Sequence, residues 1–268
     1  IIINGKAPIS GQSADKSDTG LTEIDNSFKY GGNVDDDNSG SLTYVQICYA
    51  GARSTADIEH NGLTLNGVGS GTKIENIYVL ESADDAIEFF GGTVNVTNLL
   101  AVNPDDDMFD FTQGYSGTLK NCYGVWENGY TSTEADPRGI EADGNLDGLY
   151  PTHLRQSDFR VENMTIVNNA ADKADNVDRM QDVIKIRRGA KAAIVNALVK
   201  GTGGSIDLID MSDSKGAGNA DSSVSITNSL NLTGKKLNGT LNTFAEPAGN
   251  TGTDVSLFTW TGYNFSSL

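Results

Sequence analysis

The sequence predicts an all-β chain wound as a right-handed parallel β-helix with coils of about 22 residues and inserted loops. Three observations carry this. The acidic residues are 26 Asp against only 10 Glu, accompanied by 25 Asn and 31 Gly, a composition of turn formers rather than helix formers. Six segments repeat around one asparagine each. The residues flanking those asparagines alternate apolar and polar with the period of a strand.

The six segments are Lys73-Ile74-Glu75-Asn76, Asn95-Val96-Thr97-Asn98, Thr118-Leu119-Lys120-Asn121, Arg160-Val161-Glu162-Asn163, Ala193-Ile194-Val195-Asn196 and Ser225-Ile226-Thr227-Asn228. Ile74, Val96, Leu119, Val161, Ile194 and Ile226 are expected to face inward, and Glu75, Thr97, Lys120, Glu162 and Thr227 outward. A base spacing of about 22 residues suits one solenoid coil, and longer spacings suit coils that carry an extra loop. Stacked about 4.8 Å apart, equivalent asparagines form a column whose amides bond one another. Tyr44 holds the asparagine place in an earlier coil. That register puts Cys48 and Cys122 three coils apart, about 14 Å, beyond the roughly 7 Å a disulfide spans, so two free thiols are expected. Helical patterns of useful length, which a doubly wound α/β fold requires, are absent.

The 268 residues carry 19 Lys and Arg against 36 Asp and Glu, a net charge of −17 that disfavours nucleic acid as a partner. There is no apolar run of the length that spans a membrane as a helix. The chain is expected to be one β-helix domain over residues 1–268, with a long inserted loop at about 9–40. Its opening Ile1-Ile2-Ile3-Asn4-Gly5 reads as the middle of a strand, which suggests the C-terminal part of a longer precursor.

Gly31-Gly32, Asp35-Asp36-Asp37-Asn38-Ser39-Gly40, Tyr49-Ala50-Gly51, Glu88-Phe89-Phe90-Gly91-Gly92, Asp105-Asp106-Asp107, Arg138-Gly139-Ile140-Glu141-Ala142-Asp143 and the ending Phe258-Thr259-Trp260-Thr261 carry a resemblance. Together they resemble a large family of bacterial secreted or lipid-anchored surface proteins with a pectin-lyase-like β-helix. The resemblance implies an extracellular or outer-surface location and transfers no established activity.

Candidate chemistry lies in columns of acids. Asp84 and Asp85 align with Asp106 and Asp107, and Glu88 with Asp110 and Glu141; Lys185 and Asp207 are expected to continue that column. Stacked carboxylates need solvent, a shared proton or a cation between them. Three readings follow: a solvated acidic stripe; a calcium site on Glu88, Asp110 and Glu141; or catalysis on a polysaccharide. For catalysis, Asp84, Asp85, Asp106 and Asp107 imitate the acid pairs of inverting hydrolases but lack a Gly-His-Gly partner, and His60 and His153 stand in other contexts. Lys185 and Arg187, with Arg188, offer a lyase-like base or simply neutralise the acids. Asp35, Asp37 and Ser39 match the start of a D-x-D-x-S-G calcium loop, although Gln46 stands where a bidentate acid belongs.

Insertions at about 9–40, 128–138, 145–158, 169–181 and 211–221 are further places for binding. Trp126, Tyr130 and Tyr150, with Tyr123, are candidates for stacking on sugars or for capping the solenoid edge. The first expectation is a non-enzymatic surface module for adhesion, assembly or glycan binding, with calcium as cofactor and an extracellular glycan or another surface protein as partner. A polysaccharide lyase or hydrolase is the alternative, and a self-assembling filament protein the second.

Overall fold

Each coil turns its corners at residues in the left-handed region, and that requirement explains the abundance of Asn and Gly. The computed structural model describes residues 1–51, 60–171 and 180–268. Within the long strands, Asn76, Asn98, Asn121, Asn163 and Asn196 have φ between 53° and 59°, and Tyr44 takes the same conformation at 57°. Asparagine tolerates this region better than other side chains with a Cβ, because its amide can bond locally. A second corner is closed by Tyr49, Glu81 and Asn103, and a third by Gly67, Gly91 and Gln113. At Gly91 a Cβ would lie 2.7 Å from Ile9 Cγ2 and 2.8 Å from the Gln113 carbonyl, so this one position needs both the positive φ and the missing side chain.

Strands between the corners stack into two large parallel sheets, and the whole is a right-handed parallel β-helix. The seven-stranded sheet contains, in stacking order, Ile2–Asn4, Leu63–Asn66, Ile87–Phe90, Phe109–Thr112, Ile140–Ala142, Asp182–Lys185 and Asp207–Asp210. The eight-stranded sheet runs from Ser41–Cys48 through Lys73–Leu80, Val96–Val102, Thr118–Trp126, Asp158–Asn168, Lys191–Lys200 and Ser223–Asn228 to Thr243–Ala245. The inward residues expected from the repeat are all buried. Inside, Phe89 stacks on Phe111 at 5.1 Å and Phe111 on Phe159 at 4.1 Å, so aromatic rings fill the solenoid from coil to coil.

The asparagine column forms as expected from Asn76 to Asn196, each amide donating to the side-chain oxygen of the asparagine one coil before it at 2.8–2.9 Å. Asn228 is not part of it. Ile194 pairs with Val224 but Ala197 with Ile226, so the last long coil skips one residue at the corner. Asn228 therefore lies opposite Val199 and accepts from the Leu230 amide instead. The two cysteines are free, Cys48 exposed and Cys122 buried, as the register required.

Loops cover the faces unequally. Residues 5–40 leave the first coil, form the small hairpin of Gly20–Leu21 with Lys29–Tyr30, and fold over the seven-stranded sheet. They meet the 145–158 loop, where Arg155 bonds the Ile9 and Ser13 carbonyls and Asp18 Oδ2. Most of the 169–181 insertion lies outside the described residues.

Candidate acidic site

The seven-stranded sheet turns its outward side chains toward these two loops. Glu88 pairs with Asp110 and Asp110 with Glu141 in parallel register, which places the three acids in one column. Just before these strands, Asp85 accepts from the Asp107 amide at 2.9 Å, so the two Asp-Asp turns also stack. A cavity of about 280 Å³ is lined by Asp84, Asp85, Glu88, Asp106, Asp107 and Asp110 among others.

Charge is distributed unevenly along this face. Beyond Glu141 the acids meet bases. Arg138 pairs with Glu141 and with Asp136 at 2.8 Å, and Arg187 pairs with Glu141 and with Asp143 at 2.7 Å. Arg188 also holds Asp143, and Lys185 holds Asp210. Ile140 pairs with Ile184, so Lys185 follows Glu141 in the column as expected, but Asp207 does not take the next place. Asp207 pairs with Asp182, and Lys185 with Asp210.

Before Glu141, the carboxylates crowd together. Single ligand oxygens of Asp85, Glu88 and Asp110 lie within 4.8 Å of one another, and the same holds for Asp84, Asp85 and Asp106. Burial, followed by the charge of neighbouring acids, pushes Asp85, Glu88, Asp107 and Asp110 well above the usual carboxylate range. The same causes push Asp106 up to about 8. Burial raises Glu141 too, against the pull of Arg138 and Arg187. Asn61, only 4 % exposed, donates to Glu88 Oε2 at 2.6 Å, and its own Oδ1 has no partner. Asp106 Oδ1 and Asp110 Oδ1 are likewise buried without a hydrogen bond. Such an arrangement, rich in acceptors and poor in donors, is chemically suited to a cation.

The other expected residues fall elsewhere. Asp35 is an exposed partner of Lys16 at 2.8 Å, Asp37 accepts from the Ser39 hydroxyl at 2.8 Å, and the Asp35 carbonyl anchors Ser70 at 3.0 Å. Those contacts shape a turn against the neighbouring coil. Trp126 is buried at 1 % exposure, its indole N–H donating to the Pro104 carbonyl at 3.0 Å, so it offers no face to a sugar. Tyr130 leans on Trp126 and donates to the same carbonyl at 2.8 Å. Both close the solenoid edge beneath the 128–138 loop. Tyr150 remains accessible at 43 % exposure and stacks on His153 at 4.6 Å. Asn61 and Arg138 escaped the sequence reading as site members. Neither belongs to an acid column, and folding alone brings them there.

A family model described as a pectate-lyase like beta helix domain matches residues 1–262. No curated protein and no solved structure matches the chain.

Proposed function

The chain belongs to the pectate-lyase-like β-helix domain family, and on that premise we propose that it is a non-enzymatic extracellular or cell-surface module whose acidic face holds a calcium ion. The observation that carries this reading is the buried group of Asp85, Glu88 and Asp110, with the unpartnered Asn61 oxygen beside Glu88. Calcium takes six to eight oxygens, among them carboxylates and neutral amide oxygens, and tolerates irregular geometry. Glu141, the third acid of the expected set, is already held by two guanidinium groups, and Asp85 takes its place. The flanking loops offer the binding surface for a glycan or another surface protein.

Melting with and without chelator tests the cation. Calcium should raise the melting temperature of the native chain but not that of a Glu88→Gln/Asp110→Asn variant. Identical melts in calcium and in chelator would remove the metal.

One observation favours cleavage of a polysaccharide as the second reading. Asp85 and Asp107 lie on adjacent coils, and raised carboxyls such as Asp106 suit a general acid. Against it, Lys185, Arg187 and Arg138 are each engaged in ion pairs rather than poised as a base. Acidic polysaccharides incubated with the protein should yield neither unsaturated products nor new reducing ends. Turnover that is lost in Asp107→Ala would establish the enzyme instead.

A further inference from the structure

The acidic cavity is one end of a longer cleft. A second cavity of about 450 Å³ shares Glu88, Asp110, Glu141 and Arg187 with it, and continues between Leu21 and Tyr30 of the hairpin and Phe90 of the sheet. A third, of about 490 Å³, shares Leu21, Asn26 and Leu146 with the second and ends at Tyr150 and His153. The middle section is lined by six acids, Glu23, Glu88, Asp110, Glu141, Asp143 and Asp147, against one arginine among the described residues. Its remaining walls are Leu21, Tyr30, Phe90 and Leu146, with Asn26 and Thr112.

The rim has its own character. Leu21 and Phe28 on the hairpin are 51 % and 57 % exposed, and Leu149 and Leu154 on the facing loop are 58 % and 64 % exposed. Large apolar side chains thus stand in solvent on both loops that bound the cleft, although Leu154 faces a separate cavity beside Lys16 and Asp35, on a chain whose net charge is −17. Exposed apolar residues gathered around a concave polar site are the mark of an interaction surface.

We propose that this cleft binds an extended peptide segment of a partner protein, seating a lysine with its ammonium between Glu88 and Asp110, whose Oδ1 has no hydrogen bond. The proposal rests on the reading of the chain as a non-catalytic binding module and names its partner, whose ammonium takes the place of the calcium ion on Glu88 and Asp110. The match is chemical at each level. An ammonium supplies three donors where the acid end is rich in acceptors. A lysine stem lies against Leu21, Tyr30 and Phe90, as such stems do on apolar surface. Apolar residues beside the lysine cover Leu21 on one rim and Leu149 on the other. An anionic glycan would meet six carboxylates, and although arginines already hold Glu141 and Asp143, the excess of acid argues against it.

The test is fluorescence anisotropy in chelator, with a labelled hexapeptide that alternates phenylalanine and lysine. Saturable binding is expected, at least about tenfold weaker when every lysine is replaced by glutamine, and weaker by a similar factor in Glu88→Gln/Asp110→Asn. Leu21→Ser, on the exposed hairpin, should weaken it several-fold, and calcium should compete. The amide variants relieve repulsion, so they should fold, which their melts verify. Equal affinity for the lysine and glutamine peptides, or none for either, overturns the proposal. Saturable binding of cellohexaose with no binding of the peptide would overturn the partner and leave the binding module standing. Polysaccharide cleavage would overturn both.

Discussion

Asp106 is raised to about 8 by burial first and by Asp84 and Glu141 next, whereas an ordinary aspartate titrates near 3.8. Asp85, Glu88, Asp107 and Asp110 are shifted in the same direction. A group whose folded value is raised holds its proton better in the folded state. Its stabilisation is complete below the unfolded value and is lost as pH rises through the folded one. In chelator, therefore, the melting temperature should fall between about pH 5 and pH 8, the opposite of the gain expected from a paired carboxylate. Asp18, Asp210 and Asp213, which are lowered, lose stability only on the acid side of this window. Calcium should flatten the slope, and Asp106→Asn should reduce it in chelator. A melting temperature that rises with pH in chelator would refute the crowding. Single cysteines provide a second check. One thiol, that of exposed Cys48, should react in the native protein and two after denaturation, because burial shields Cys122 and raises its thiol.

At the scale of the element, the corner residue matters most. Asn121 has φ 55°, donates to Asn98 and accepts from Asn163, both at 2.9 Å. Asn121→Ala forfeits those bonds and forces alanine into the left-handed region, a loss of about 2 kcal/mol. Asn121→Gly keeps the backbone and loses only the amide, about 1 kcal/mol. Denaturant unfolding distinguishes them, and equal losses would mean that backbone strain contributes nothing. The same corner explains what the sequence disclosed. A left-handed position inside an alternating strand restricts the choice of residue enough that Asn76, Asn98, Asn121, Asn163 and Asn196 mark the coils legibly. A skipped residue leaves no such mark, so Asn228 carries the motif without the position. Alternation also leaves the register of a short apolar strand ambiguous. Asp207-Leu208-Ile209-Asp210 carries an acid at each end, so the sequence offers two partners for Lys185, and the true one is Asp210, three residues beyond the one expected. The acid columns were readable because their spacing equals the coil. Asn61 and Arg138 were not, because the chain path rather than the repeat delivers them.

In the molecule as a whole, the segment after residue 248 does what no coil can do. Coils of a solenoid contact only their neighbours, so stability is passed along one step at a time. This segment instead runs across the eight-stranded sheet. Thr251 donates to Asn196 at 2.8 Å, and Thr253 donates through its amide to Thr165 at 2.9 Å and through its hydroxyl to the Cys122 carbonyl at 2.7 Å. Phe258 is fully buried beside Tyr123, Tyr263 packs edge-on against Tyr78, and Trp260 against Tyr44. From Asn196 back to Tyr44, the strap binds the outer face of successive coils, covering Leu100, Val102 and Val125 on the way. Those outward apolar residues interrupt the polar alternation, which is why the strap exists: without it they would face water. Phe258→Ala should therefore cost about 3–5 kcal/mol, the range for a large aromatic removed from a packed site. A chain ending at residue 247 should bind a hydrophobic dye and unfold over a broader range, with hydrogen exchange fastest in the strands nearest Ser41–Cys48. If the shortened chain melted as sharply as the intact one, the coils would be cooperative by themselves, and the strap would be a cover rather than a coupling device.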